Sequence, residues 1–244
     1  MNDASVFRWT GTCGLIAIAL FFVEFPLYFL RGPMPSLTAT NLGAYSTRNA
    51  ANMLAVVSLD MLIYCLFLIF LAGFRHLIRQ ARAECEWLGT LVFGVGVAYA
   101  TITLVGDSLE GTIALDALTG SPDPSANRVL MESQYLIFGS VGLILIALLL
   151  ASAGSASIAS KALPHWTGWL GYGGAVLCLV FVPSMFVGAP DLTAFYNPAG
   201  WGTTGVIAGF PLAAWVVAAG VSMVRKRPTP RPATAPLHSP ANKQ

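Results

Sequence analysis

The sequence predicts an all-α protein, a bundle of six helices that cross a lipid bilayer. Two observations lead to this fold class. The chain is 56% hydrophobic and only 10% charged, with a mean hydropathy of +0.70, whereas a soluble globular domain carries about 25% charged residues. Six apolar stretches also follow one another, each of roughly the 20 residues that a helix needs to cross the bilayer core. Their predicted bounds are 9–30, 51–74, 88–110, 129–152, 166–187 and 203–223.

Other readings of these stretches are disfavoured. The strands of a β-barrel would be about 10 residues long and would alternate in polarity. The first stretch is too long for the core of a signal peptide, contains Glu24 and Pro26, and has no small-x-small cleavage site, so it is predicted to be the first span. Residues 1–223 therefore form one predicted transmembrane domain. The basic, proline-rich segment 224–244 is predicted to be a disordered cytoplasmic tail.

The distribution of positive charge predicts the orientation. Ten lysines and arginines fall on the side of the predicted membrane that holds the N-terminus, and three fall on the other side. Because loops that are rich in lysine and arginine stay in the cytoplasm, both termini are predicted to be cytoplasmic. The ten are Arg8, Arg75, Arg79, Arg82, Lys161, Arg225, Lys226, Arg227, Arg231 and Lys243, and the three are Arg31, Arg48 and Arg128.

The first, third and fifth spans begin alike, with Trp9, Trp87 and Trp166 each two residues before a glycine. Two interpretations remain open. The chain consists of three helical hairpins derived from a repeated unit, or it carries interfacial tryptophans on hairpins of similar length. Under either one, the small residues of these helices predict close helix packing. Those residues are Gly11, Gly14, Gly168 and Gly171.

Carboxylic acids inside the predicted spans are the most informative feature of the sequence. Ionisable residues are costly in the membrane and usually face the interior of a bundle. Five acids lie at or within four spans, in the middle or outer half of the predicted membrane: Glu24, Asp60, Asp107, Glu110 and Glu132. No lysine or arginine is predicted to lie deep enough to pair with them. Arg48, just before the second span, is either an outer counter-ion or an ordinary interface residue.

Tyrosines and a threonine share helix faces with these acids, because residues three or four apart lie on one face. If the faces converge, they line a pocket of acids and phenols that opens outward, in which some crowded carboxyl groups are protonated at neutral pH. The alternative is that the acids near span ends are solvated among the headgroups, and that the deeper ones bond to a neighbouring helix. The candidate pocket residues are Glu24, Tyr28, Asp60, Tyr64, Tyr99, Thr103, Asp107, Glu110, Glu132 and Tyr135.

Several chemistries lack the residues that they need. His76 and His165 are predicted to lie in loops and His238 in the tail, so haem and histidine–zinc sites have no ligands within the membrane. No P-loop or dinucleotide fingerprint precedes a helix. The four cysteines contain no C-x-x-C pair and are interpreted as packing residues. The sequence thus predicts no cofactor, no metal and no nucleic-acid partner, although a carboxylate site for a hard cation stays open.

The start of the fifth span, Leu163–Gly171 (LPHWTGWLG), resembles a bacterial family of small six-helix membrane proteins that is catalogued as a domain of unknown function. The spacing of the spans from about residue 9 to 187, with Asp60 in the second span, is also similar. The resemblance implies a multi-pass protein of the bacterial inner membrane. It implies no activity and no site.

Three functions from different classes remain open. The first, which is favoured, is binding or transport of a small solute or cation through the outward acidic pocket. The second is an intramembrane enzyme that uses a carboxylic acid as general acid on a lipid or prenyl substrate. The third is an accessory or structural subunit in which the acids fix helix packing. The lipid bilayer is the one certain partner, and a homo-oligomer would supply what a small chain lacks for transport.

Overall fold

Seven α-helices make up most of the computed structural model, which describes residues 3–32, 39–120 and 123–226. They are α1 (Asp3–Leu30), α2 (Ala39–Ala81), α3 (Glu86–Leu118), α4 (Pro124–Leu136), α5 (Gly142–Ser160), α6 (His165–Phe181) and α7 (Phe210–Arg225). Short 3-10 segments occupy Ala83–Cys85 and Val182–Phe186, and π-helical segments occupy Ile137–Val141 and Trp201–Ile207. The predicted tail lies outside the described residues from residue 227 onward.

Six helical stretches are long and apolar enough to span a membrane, which confirms the predicted all-helical fold with six spans. The fourth span is composite, because α4 and α5 are joined through the π-helical segment at residues 137–141. The exposed face of α6 carries Leu177, Leu179 and Val180, as expected of a surface that faces lipid. The chain is therefore a multi-pass membrane protein by the length and composition of its helices.

Several helices extend well beyond their predicted bounds. α2 has 43 residues, which corresponds to about 64 Å of helix and is far more than a bilayer requires. Its first turns are polar in sequence, yet Leu42 and Met53 are buried against Ile113 of α3 and Met131 of α4 in a small separate core. The hydropathy pattern missed these turns because they are stabilised by one apolar stripe and not by an apolar surface on all sides.

The helices form a closed ring in the order α1, α2, α3, α5, α6 and α7, with α7 packing against α1. At one end, which we call the basic end, His76 at the end of α2 contacts Asp3 at the start of α1, and Lys226 donates to the carbonyl of Ala162. Trp9, Trp87 and Trp166 are exposed at this same end. The other end, called the cavity end, holds Arg31 and the connection between α6 and α7.

Solid aromatic packing fills the bundle towards the basic end. Trp215 of α7 makes edge contacts with Phe70 and Phe74 of α2, with ring centroids 5.8 and 5.2 Å apart. All three side chains are fully buried. We call Phe70, Phe74 and Trp215 the aromatic plug. Among the described residues these three rings fill the interior of the bundle at their level, and the cavity described below lies on the cavity-end side of them.

Glycines allow the closest helix contacts, as the sequence predicted. A Cβ at Gly171 of α6 would lie 2.7 Å from the Leu150 carbonyl oxygen of α5, and one at Gly154 would lie 2.7 Å from the Gly168 carbonyl oxygen. A Cβ at Gly11 of α1 would similarly lie 2.9 Å from the carbonyl oxygen of Gly220 in α7. Because these neighbours are backbone atoms, no rotamer change can make room for a side chain.

Candidate functional site

A cavity of about 510 Å³ opens in the bundle between α1, α2, α3, α4 and the start of the sixth span. Eight of the ten residues predicted to form a pocket line it, namely Glu24, Tyr28, Asp60, Tyr64, Tyr99, Thr103, Glu110 and Tyr135. The cavity extends from Ala17 of α1 to Gly32, which follows the end of that helix. Phe67 and Val216, which border the aromatic plug, also line it. The space is therefore closed towards the basic end.

Glu24 and Asp60 form the acidic centre of this cavity. Glu24 is only 3% exposed and lies within the second half of the apolar helix α1. Its carboxyl group lies close enough to Asp60 and to the Tyr28 hydroxyl for side-chain hydrogen bonding. Two neighbouring carboxyl groups can bond to each other only when one of them carries a proton. The pair is thus suited to hold a shared proton or the positive charge of a ligand.

The prediction that no basic side chain pairs with the acids is wrong, because Arg31 forms an ion pair with Glu110. Arg31 follows the last turn of α1, and its Nη1 lies 2.6 Å from Oε1 of Glu110 in α3. Both side chains are 6% exposed. The other oxygen of Glu110 accepts a hydrogen bond of 2.7 Å from Gln134 of α4. The pair could not be predicted from the sequence, because an arginine at the end of a span is normally interpreted as a residue of the membrane interface.

Asparagines of α2 complete the network around Arg31. Its Nε donates to Oδ1 of Asn52 over 2.6 Å, while Nδ2 of Asn52 donates to the Leu27 carbonyl. The guanidinium also lies over the Tyr28 ring, 4.6 Å from its centroid. Arg48, the counter-ion considered from the sequence, is exposed and lies 6.0 Å from the Tyr45 ring centroid instead. Arg31 therefore fastens the end of α1 to α2, α3 and, through Gln134, to α4.

Asp107 and Glu132 are the two predicted pocket residues that do not line the cavity. Asp107 is 3% exposed and lies behind the cavity wall, near Glu110 of the same helix and Glu24 of α1. Glu132 instead lies on the outer face of α4 and pairs with Arg128 at 2.8 Å. The i to i+4 spacing of that pair is visible in the sequence and favours a surface contact.

Phenols and other aromatic rings form most of the remaining wall. Tyr64 and Tyr99 have ring centroids 6.0 Å apart, and their hydroxyls and that of Thr103 lie within hydrogen-bonding range of one another. Eleven of the lining residues are aromatic, namely Phe21, Phe25, Tyr28, Phe29, Tyr45, Tyr64, Phe67, Tyr99, Tyr135, Phe138 and Trp201. The acids are thus placed in a chamber that is apolar in most of its surface and rich in ring faces.

Irregular helix geometry coincides with the cavity in the fourth and sixth spans. Gly139 has a non-helical ψ of −119° inside the π-helical segment of the fourth span, and Ser140 donates to the Val182 carbonyl at the start of the 3-10 segment. Phe138 and Thr204, from the two π-helical segments, line the cavity. π-Helical turns are rare and are frequent at functional sites. Hydropathy does not predict these segments, and the glycines in these spans are the one signal of them in the sequence.

The connection between α6 and α7, residues 187–200, covers the cavity end, and we call it the cap. Asn197 holds it together, because its Oδ1 accepts from the amides of Asp191 and Ala199 and its Nδ2 donates to the Ala189 carbonyl. Leu192 and Ala199 of the cap line the cavity. At the surface, hydrogen bonds from Thr193 hold the pKa of Asp191 below its usual range.

Replacing Asn197 by alanine should therefore loosen the cap without unfolding the bundle. Three hydrogen bonds of about 1 kcal/mol each would be lost, so amide exchange at Asp191 and Ala199 is expected to accelerate at least tenfold. Hydrogen exchange followed by mass spectrometry measures this directly. Thr193→Val, which removes one exposed hydrogen bond of the cap, is the control and should accelerate exchange far less. Equal rates in the Asn197 variant and wild type would contradict this account of the cap.

Metal binding by the side chains alone finds little support in this geometry. Within residues 3–32, 39–120 and 123–226, no three histidine, cysteine, aspartate or glutamate side chains are grouped so that they could hold a metal ion. The acids of the cavity are neighbours, but they do not converge on one point.

Comparisons with known proteins add no further constraint. No protein-family model matches the chain, and no curated protein sequence or solved structure matches it either. The resemblance at Leu163–Gly171 stays a prediction, and the function has to be argued from the cavity itself.

Proposed function

We propose that this protein binds a small positively charged solute in its acidic cavity and moves it or holds it in exchange for a proton. The cavity volume of about 510 Å³ falls within the range of roughly 300–1,000 Å³ typical of small-molecule sites. One observation carries the proposal, the unpaired acids at its centre. Among the described residues, no arginine, lysine or histidine forms an ion pair with Glu24 or Asp60.

The charge balance of the site favours a cation over an anion. The positive charge of Arg31 is already neutralised by Glu110 at 2.6 Å. Glu24 and Asp60 are left to share whatever protons or positive charge the cavity contains. A cationic ligand would replace the shared proton, because buried like charges repel and a net negative pair is unstable in a medium of low dielectric.

The membrane orientation belongs to the same proposal. Of the lysines and arginines that the structure describes, three lie towards the cavity end and seven at or near the basic end, namely Arg8, Arg75, Arg79, Arg82, Lys161, Arg225 and Lys226. By the positive-inside rule the basic end, with both termini, faces the cytoplasm of a bacterial inner membrane. The cavity then opens away from the cytoplasm, on the side from which a solute would be captured. An origin from three repeated hairpins remains part of this proposal.

A second candidate function is acid catalysis on a lipophilic substrate, and the aromatic walls favour it. A protonated Asp60 or Glu24 would donate its proton to a carbon–carbon double bond, and the ring faces would stabilise the resulting carbocation. This candidate predicts a covalently altered product when the purified protein is incubated with a prenyl lipid. The solute-binding proposal predicts that the ligand is recovered unchanged.

Native mass spectrometry of the protein released from its own membranes tests the proposal. Wild type should carry a discrete small mass, which should be absent from a variant with Glu24→Gln and Asp60→Asn. Truncating one partner of a buried charge pair costs about 2–5 kcal/mol, so the affinity for this ligand should fall about 30-fold or more. Glu132→Gln is the matched control, because Glu132 lies on the outer face of α4 and not in the cavity.

The outcomes separate the functions. A mass retained by the control and lost from the double variant supports the cation site. Identical spectra from three equally folded proteins would overturn it and would favour a structural role for the acids.

A further inference from the structure

We infer that the ligand is an amphiphilic organic cation, whose charged group lies at Glu24 and Asp60 and whose apolar part fills the space between them and the aromatic plug. This inference rests on the proposed function and adds the substrate class. It follows from where the acids lie along the length of the cavity.

The cavity continues well past the acids, towards the basic end. On α1 it reaches Ala17, seven residues before Glu24, which is about 10 Å along the helix. On the facing helices it reaches Phe67 of α2 and Val216 of α7. A small polar cation would be held by the acids alone and would leave this inner space empty.

The inner space is apolar on the sides of α1 and α7. Its wall there consists of Ala17, Phe21, Leu212, Ala213 and Val216. The hydroxyls of Tyr64, Tyr99 and Thr103, on the opposite side, lie within hydrogen-bonding range of one another, and Thr103 also donates to the Tyr99 carbonyl. These groups need no polar ligand atoms as partners. An alkyl or aromatic body therefore suits this end of the cavity better than water or a polar solute.

The walls beside the acids are suited to an organic cation and not to a bare metal ion. Phe25 and Tyr28 lie within one turn of Glu24 and line the cavity with it. Aromatic faces attract ammonium groups within about 6 Å of a ring centroid. No group of three metal-binding side chains occurs in the described part of the chain. A substituted ammonium group satisfies the acids and the rings together.

Binding of a graded series of alkyltrimethylammonium ions, from ethyl to dodecyl, tests the inference. The protein is reconstituted in lipid nanodiscs, and affinities are measured by titration calorimetry. The same titrations of empty nanodiscs and of nanodiscs with the Glu24→Gln variant measure uptake by lipid, which is subtracted. Affinity should rise about three- to fourfold per methylene and level off at roughly eight carbons, the length of the inner space. Sodium ions and octyl sulfonate should not compete.

A matched pair of variants shows where the alkyl chain of the ligand lies. Ala213→Leu narrows the inner end and should abolish the gain in affinity with chain length. Gly94→Leu, which enlarges a residue with open space around it, should retain the whole gain. If Ala213→Leu does not fold, the chain-length series on wild type decides alone.

Each result has a definite meaning. A gain with chain length that requires Glu24 supports the inference. Equal, Glu24-dependent affinity for every chain length would overturn the inference and leave the proposed function standing. Absence of Glu24-dependent binding across the series, or equal binding of octyl sulfonate, would overturn both.

Discussion

Replacing Arg31 by methionine should lower the free energy of unfolding by about 3–5 kcal/mol, because it leaves the Glu110 carboxylate buried without its counter-charge. The two side chains are 6% exposed and 2.6 Å apart. The same change removes the hydrogen bond from Arg31 to Asn52, which helps to join α1 to α2. Unfolding of the purified protein in detergent, followed by circular dichroism, measures the difference.

Two further variants show whether the buried charge is the cause. Arg31→Met combined with Glu110→Gln should recover much of the loss, since a buried ion pair replaced as a unit is often neutral in stability. Arg128→Met breaks the exposed pair with Glu132 and should cost no more than about 0.5 kcal/mol. If Arg31→Met costs as little as Arg128→Met, the Arg31–Glu110 pair does not fasten the cavity end.

Gly171→Leu should have the second large effect on stability, because the new side chain would be forced against the backbone of α5. Its Cβ would lie 2.7 Å from the Leu150 carbonyl oxygen and 3.2 Å from two backbone atoms of Gly154. Overpacking of this kind typically costs 1–3 kcal/mol, and sometimes more. We expect a cost of about 3 kcal/mol or failure to accumulate, since rigid backbone cannot move aside. Thermal melting and membrane yield measure it.

The same helix supplies a close control. Gly173 lies two residues further along α6, with open space where a Cβ would be. Gly173→Leu should therefore be neutral or slightly stabilising, because leucine is the better helix former by about 0.5–1 kcal/mol. Similar losses in both variants would mean that helix conformation, and not the contact between α5 and α6, decides the result.

The number and type of the helices could be predicted from sequence because hydropathy is a strong local signal. The ends of α2 and α3 could not, since polar turns such as those around Asn49 are stable only when Leu42 and Met53 pack against neighbouring helices. The π-helical segments depend likewise on tertiary contacts, for example the bond from Ser140 to Val182. Long-range contacts leave little trace in the sequence of either partner.

The candidate site was predictable in part for the same reason. Acids in apolar helices have to face the interior, so Glu24, Asp60 and Glu110 could be placed around a common space from the sequence alone. The partner of Glu110 could not, because Arg31 lies 79 positions away and at a span end where interface arginines are common. Glu132 was predicted to line the pocket, but it pairs with Arg128 one turn before it on the surface of α4.

The aromatic plug has a consequence for electrical behaviour. Trp215 is in edge contact with Phe70 and Phe74, and all three rings are fully buried between the cavity and the basic end, so we expect this conformation not to conduct ions. A planar bilayer containing the protein should stay silent under an applied voltage even when the cavity is saturated with ligand. Any transport would then require the three rings to move apart once for each bound ligand that crosses. The rate would be that of a carrier and not that of a channel.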